Sequence, residues 1–298
     1  METRALCLGM LLLWAPACAI AGGVTYERNG NARSAILRRH RFPWTAMNNA
    51  TQATLSKVPQ VTFVFWLIKI AATTLGETGG DAVSMSMNLG YLVGTAIFAA
   101  VFVAAVYVQI VAKQFHPVIY WVTIIASTTV GTTLADYADR SLGIGYTGGA
   151  TLLAGLVALS LFAWHRTLGS VSIDTVSTPR AEMFYWLTIM FSQTLGTALG
   201  DWTADTAGIG YVGAALIFGS LLALVAAAYF WTKLSHTLLF WAAFILTRPL
   251  GAVVGDFLDK PIAKGGLELS RYTASFVLLA FIAACIVFLP QRAASKAH

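Results

Sequence analysis

Charge is scarce in this chain. Of 298 residues only 11% are Asp, Glu, Lys or Arg, against 57% hydrophobic, and the mean hydropathy is +0.71. A soluble domain carries about 25% charged residues. A water-exposed globular surface is therefore excluded, and a polytopic membrane protein is expected. Cysteine is as scarce. Cys7 and Cys18 lie in the N-terminal apolar stretch and Cys285 in the last one, with no CxxC and no Cys/His cluster. That excludes a disulfide framework and a thiolate zinc site. There is no HExxH, nucleophile elbow, Walker loop or dinucleotide fingerprint. No enzyme, no cofactor and no ATP-driven pump is expected within the chain. The net charge of +6 comes mostly from loops and tails, where basic residues orient a membrane protein; nucleic acid is not an expected partner.

What the sequence has instead is repetition, which is sought first. Four segments align without gaps: TTLGETGGD (73–81), TTVGTTLAD (128–136), QTLGTALGD (193–201) and RPLGAVVGD (248–256). Each holds a Gly five residues before an Asp, with a small residue directly before that Asp. Trp66, Trp121, Trp186 and Trp241 stand ten residues ahead of each first Gly, and each follows an aromatic residue: Phe65, Tyr120, Tyr185 and Phe240. Tyr91, Tyr146 and Tyr211 follow the Asp by ten residues; Tyr272 follows by sixteen, which implies a six-residue insertion in the fourth copy.

Each repeat holds two apolar runs. The predicted spans are 59–81, 89–112, 117–138, 145–164, 183–203, 210–231, 237–257 and 272–289, each close to the roughly 20 residues a bilayer needs. The Asp residues are spaced by 55, 65 and 55 residues. The extra length falls in the polar stretch 165–182, so residues 47–168 and 183–290 read as two halves joined by a cytoplasmic linker at 169–182, with a tail at 291–298. An even number of spans per repeat gives every copy the same orientation, and places the pseudo-symmetry axis along the membrane normal.

The run KVPQVTFVFWLIKIAATTLGETGGD, then NLGY, then three degenerate copies, resembles a family of bacterial membrane proteins built of four tandem two-helix repeats of unknown function, each with a tryptophan. The resemblance covers about residues 57–290. It implies an integral membrane protein and implies no activity, cofactor or catalytic residue.

Residues 1–46 resemble a secretory leader, with Arg4, an apolar core and AIA before Gly22. Cleavage there would leave Arg28, Arg33, Arg38, Arg39 and Arg41 outside the cytoplasm, against the positive-inside rule. Two other readings stand beside it: a ninth span over 5–24, or a true start at Met47. The loops on the side of residue 57 carry Lys57, Lys113, Arg166, Arg180, Lys233, Arg292 and Lys296; the other side has Arg140, Lys260, Lys264 and Arg271. The start of span one and the C-terminus are therefore expected in the cytoplasm of a bacterial inner-membrane protein. Homo-oligomerisation is left open. His116, His165 and His236 fall in cytoplasmic loops and read as solvated.

Acids in such spans are functional hypotheses by default, because an ionised carboxylate costs roughly 2.5–3.5 kcal/mol on insertion scales. Pseudo-symmetry would bring Asp81, Asp136, Asp201 and Asp256 around one axis near the extracytoplasmic face. Asp139, Asp205 and Asp259 follow three or four residues later, and Glu77 lies one turn deeper in the first copy. Eight such carboxylates suggest a vestibule for a hard cation or a proton; the bland reading is that each Asp marks a helix end reached by water. The small-xxx-small pairs Gly76/Gly80, Gly131/Ala135, Gly196/Gly200 and Gly251/Gly255 predict close helix packing, with a helix broken at these glycines as the sharper alternative. Trp66, Trp121, Trp186 and Trp241 fit an interfacial belt, with ligand stacking as the second reading. Lys69 and Arg248 break the repeat. Lys69 is expected to snorkel to the cytoplasmic side or to pair with an acid, and Arg248 to neutralise one carboxylate. The expected function is a secondary transporter or exporter of a small cation; the alternative is a membrane scaffold without transport.

Overall fold

The computed structural model describes residues 56–294. The three readings of residues 1–46 lie outside the described residues. Eight long α-helices make up the all-α fold: α1 (Phe63–Asp81), α2 (Gly90–Val111), α3 (Pro117–Asp136), α4 (Tyr146–Leu168), α5 (Pro179–Asp201), α6 (Gly210–Trp231), α7 (His236–Asp259) and α8 (Arg271–Phe288). Six of them, α2, α3, α4, α6, α7 and α8, are long and apolar enough to cross a membrane. In α1 and α5, Thr, Gly and charged residues dilute the apolar run.

Local chemistry sets the helix starts. Thr62 and Thr178 cap α1 and α5 by accepting the backbone N–H groups of Phe65 and Ala181. Pro117 and Pro179 occupy the first positions of α3 and α5, where a missing N–H costs nothing. In the first three repeats the inner helix passes, directly after its Asp, into a π-helical turn: Ala82–Ser86, Tyr137–Ser141 and Trp202–Thr206. The chain then reverses through two left-handed residues, Asn88 and Gly90, Gly143 and Gly145, or Gly208 and Gly210. Positive φ favours Gly, and Asn is the side chain that tolerates it best, which explains why Tyr91, Tyr146 and Tyr211 are each preceded by Gly.

The odd-numbered helices form a closed inner ring in the order α1, α3, α5, α7 and back to α1. Each even-numbered helix packs chiefly on the inner helix of the next repeat: α2 on α3, α4 on α5, α6 on α7, and α8 back on α1. The repeat is therefore not a self-contained hairpin. Its second helix completes its neighbour, and the last repeat completes the first. The outer helices turn most of their apolar side chains outward; in α2 only Gly94 and Gln109 are buried.

Glycine makes the ring tight. A Cβ on Gly76 would meet Thr128, one on Gly131 would meet Gln193, one on Gly196 would meet Arg248, and one on Gly251 would meet Thr73, each closer than 3 Å. Gly80, Gly200 and Gly255 press in the same way on Thr132, Ala252 and Glu77. The pattern steps once round the ring and closes, as small-residue packing in lipid requires. The inner helices stay α-helical through every one of these glycines, so no helix is broken there. Buried threonines return their hydroxyls to their own helix, as Thr129 does to Ile125 O at 2.8 Å and Thr194 to Met190 O at 3.0 Å.

The tryptophans correct the expectation of a lipid-facing belt. Trp121, Trp186 and Trp241 are buried and Trp66 is half-buried. Each meets the aromatic residue of the preceding repeat: Phe65 with Trp121, Tyr120 with Trp186, Tyr185 with Trp241, and Phe240 with Trp66, at centroid separations of 5.4, 5.7, 6.2 and 5.9 Å. These rings close one end of the inner ring, because aromatic pairs gain from packing with each other beyond their buried area. The linker and the tail seal that end. Trp241 Nε1 donates to Val171 O at 3.0 Å, Ser56 Oγ donates to Ile173 O at 2.6 Å, and Ala294 N donates to Val58 O at 2.9 Å. Lys57 ties the start of α1 to Glu182 at 2.7 Å and to the last turn of α2.

Candidate cation site

One helical turn at a time, the inner ring passes from aromatic to acidic. The stacked layers are Phe65/Tyr120/Tyr185/Phe240, then Lys69/Ile124/Ile189/Phe244, then Thr73/Thr128/Gln193/Arg248, then Glu77/Thr132/Thr197/Ala252, and last Asp81/Asp136/Asp201/Asp256. All twenty side chains are buried. The spacing of four residues keeps each column on one helix face.

Arg248 stands where all four inner helices meet. Its Nη2 donates to Glu77 Oε2 of α1 at 3.0 Å, to Thr132 Oγ1 of α3, and to Thr197 Oγ1 of α5. The expected neutralisation of a carboxylate is present, and its partner is Glu77. Lys69 does not snorkel. It is fully buried, with Nζ 4.1 Å from the centroid of the Phe244 ring and no hydrogen-bond partner for that nitrogen among the described residues. Lys69 lies less than two turns into α1 but points into the inner ring, where its whole side chain is enclosed; the Phe244 ring face supplies a cation–π contact there.

The four repeated Asp residues converge, each 1% exposed. They do not lie at water-washed helix ends: in the first three repeats a π-helical turn carries the chain past the Asp, and in the fourth α7 itself continues to Asp259. Asp136 pairs with Arg140 at 2.6 Å and Asp201 with the same arginine at 3.7 Å. Lys260 places its ammonium among Asp81 at 2.6 Å, Asp256 at 2.9 Å and Asp259 at 3.9 Å. Arg271 reaches Asp259 at 2.5 Å and Asp81 at 3.8 Å. Burial works against the charge of Lys260, but Asp256, Asp81 and Asp259 outweigh it and hold the ammonium well above the ordinary lysine range.

Three carboxylate groups bring their oxygens within 4.8 Å of one another: Glu77/Asp81/Asp136, Glu77/Asp201/Asp256 and Asp81/Asp256/Asp259. Of the eight acids expected to share a vestibule, these groups bring six together in a buried centre. Asp139 is half-buried and outside these groups, and Asp205 is exposed, accepting from Tyr211 at 3.4 Å. Both hang from the π-helical turns, whose wider winding turns them off the axis. By sequence alone Arg140, Lys260 and Arg271 read only as loop charges. For two of them a signal existed: Arg140 and Lys260 each stand four residues after an Asp. Arg271 had none, since it approaches from another helix.

The repeat match follows this geometry. A family model described as a Repeat of Unknown Function (DUF347) matches four times, over residues 64–115, 119–170, 184–235 and 239–291. The chain belongs to the DUF347 repeat family. Each match spans one inner and one outer helix, so the DUF347 unit is a pair whose two helices mostly pack on different neighbours. No curated protein and no solved structure matches the chain.

Proposed function

We propose that this protein is a secondary transporter or exporter of a small cation, crossing a bacterial inner membrane eight times with the aromatic end and the C-terminus on the cytoplasmic side. It is read as a non-enzyme without a cofactor, surrounded by lipid and without a nucleic-acid partner. One observation carries this reading. Six buried carboxylates (Glu77, Asp81, Asp136, Asp201, Asp256, Asp259) share a centre with four cationic side chains, Arg140, Arg248, Lys260 and Arg271. The surplus negative charge is costly in a dry interior, and a mobile cation or proton offsets it. The sealed aromatic end and the buried acids suit the occluded form of a carrier, whose site sits between repeats. The scaffold reading rests on the same closure, since four fixed cations offset most of the acidic charge without any cargo.

Flux separates the two. The purified full chain is reconstituted in liposomes and challenged with Mg²⁺, Mn²⁺ or Ca²⁺ gradients, with and without a pH gradient. The transporter reading expects saturable cation movement above that of protein-free liposomes. No movement of any of these ions or of protons would leave the scaffold.

A further inference from the structure

The three carboxylate groups are not equivalent, and their partners tell them apart. In Asp81/Asp256/Asp259 the Lys260 ammonium already stands among the carboxylates, two of them at 2.6 and 2.9 Å. It is a tethered cation. In Glu77/Asp81/Asp136 every acid has its own close cation: Arg248, Lys260 and Arg140 respectively. In Glu77/Asp201/Asp256 one member differs. Asp201 is 1% exposed, and neither of its carboxylate oxygens has a hydrogen-bond partner among the described residues. Its one cation, Arg140, stands 3.7 Å away and is held more closely by Asp136. Buried carboxylates ordinarily accept hydrogen bonds or pair closely.

We infer that Glu77, Asp201 and Asp256 form a site for one hard divalent cation of the Mg²⁺, Mn²⁺ or Ca²⁺ class. This deepens the transport reading by naming its cargo class and rests on it only for the cargo's movement. Opposite oxygens around a Ca²⁺ ion at 2.3–2.6 Å stand about 4.6–5.2 Å apart, and around Mg²⁺ about 4.2 Å apart. The three carboxylate oxygens lie within 4.8 Å of one another, which fits one ion with little movement of the helices. The donor chemistry selects the class. The twenty residues of the inner layers include no His, Cys or Met, so soft ligands for thiophilic metals are absent from the site, and oxygen donors favour hard cations. Asp201 is the member without a hydrogen-bond partner among the described residues, while Lys260 holds Asp256 at 2.9 Å and Arg248 holds Glu77 at 3.0 Å.

Mn²⁺ is the probe, titrated into the detergent-purified full chain and followed by electron paramagnetic resonance of the free ion. Wild type is expected to take up one Mn²⁺ saturably, with Ca²⁺ in competition. Asp201→Asn should weaken binding at least tenfold, while Asp205→Asn should bind as wild type does. Asp201→Asn removes a charge without a close partner, so in the absence of metal its melting midpoint should equal or exceed that of wild type; a merely structural Asp201 would give a fall. Asp201→Ser is run beside it and is read the same way if the Asn variant is not monodisperse. The inference is overturned if wild type does not bind, or if a folded Asp201 variant binds as tightly as wild type. Binding without flux overturns transport and leaves the site. Flux that survives in Asp201→Asn overturns the site and leaves transport.

Discussion

Arg248 of the fourth repeat donates to Glu77 of the first at 3.0 Å, and both are buried. Each replaces a residue that is uncharged in the other copies: Glu77 stands where Thr132, Thr197 and Ala252 do, and Arg248 where Thr73, Thr128 and Gln193 do. These two of the three charged departures from the repeat, Lys69 being the third, thus compensate each other across the seam where the ring closes.

Breaking that pair should be costly, and removing both charges much less so. Removing one member of a buried pair typically costs 3–5 kcal/mol, because the other is left desolvated and alone. Arg248→Met and Glu77→Gln should each lower the unfolding free energy by that order, and the double variant by less than the sum. A double-mutant cycle in mild detergent measures the coupling. Strictly additive losses would mean that the contact carries no energy.

The glycines predict a contrast between positions. A Cβ on Gly131 would stand 2.9 Å from Gln193 Cβ and 3.0 Å from the Thr194 backbone nitrogen, whereas one on Gly219 would meet nothing within 4 Å. Backbone cannot swing aside, so Gly131→Ala should cost about 1–3 kcal/mol through overpacking. Gly219→Ala should be neutral or gain up to about 1 kcal/mol from helix propensity. Equal melting midpoints for the two variants would contradict the packing assigned to the inner ring.

Lys260 sets an alkaline limit. Its folded-state pKa lies above the ordinary 10.5. A raised value means that the group binds its proton more tightly when folded. The resulting stability is fully present below 10.5 and is lost as pH rises through the folded value. The difference in unfolding free energy between wild type and Lys260→Met should therefore hold constant from about pH 7 to 10, the wild type being the more stable by about 3–5 kcal/mol. A difference that fades between pH 8 and 10 would show that the three carboxylates do not hold the ammonium.

Much of the architecture was legible because it is written four times. The Gly-x₄-Asp phrase, the Trp ten residues before its Gly and the Tyr after its Asp locate every inner and outer helix to within a few residues. The convergence of Asp81, Asp136, Asp201 and Asp256 followed from repetition alone, since like positions in a closed ring must face one another. The side to which each tryptophan turns was not legible. An aromatic at a helix start satisfies a lipid interface and a buried cluster equally well, and only the neighbour's Phe65, Tyr120, Tyr185 or Phe240 decides between them.

The sequence by itself determined the helices, their number among the described residues, and the chemistry of each layer, because periodicity and caps are local properties of the chain. Tertiary structure alone decided the partners. It set Lys69 over Phe244, Arg248 on Glu77 and Lys260 among three acids, and it left Asp201 without a hydrogen bond among the described residues. Those pairings join residues far apart in the chain, and they depend on each outer helix packing on the next repeat, which no single repeat encodes.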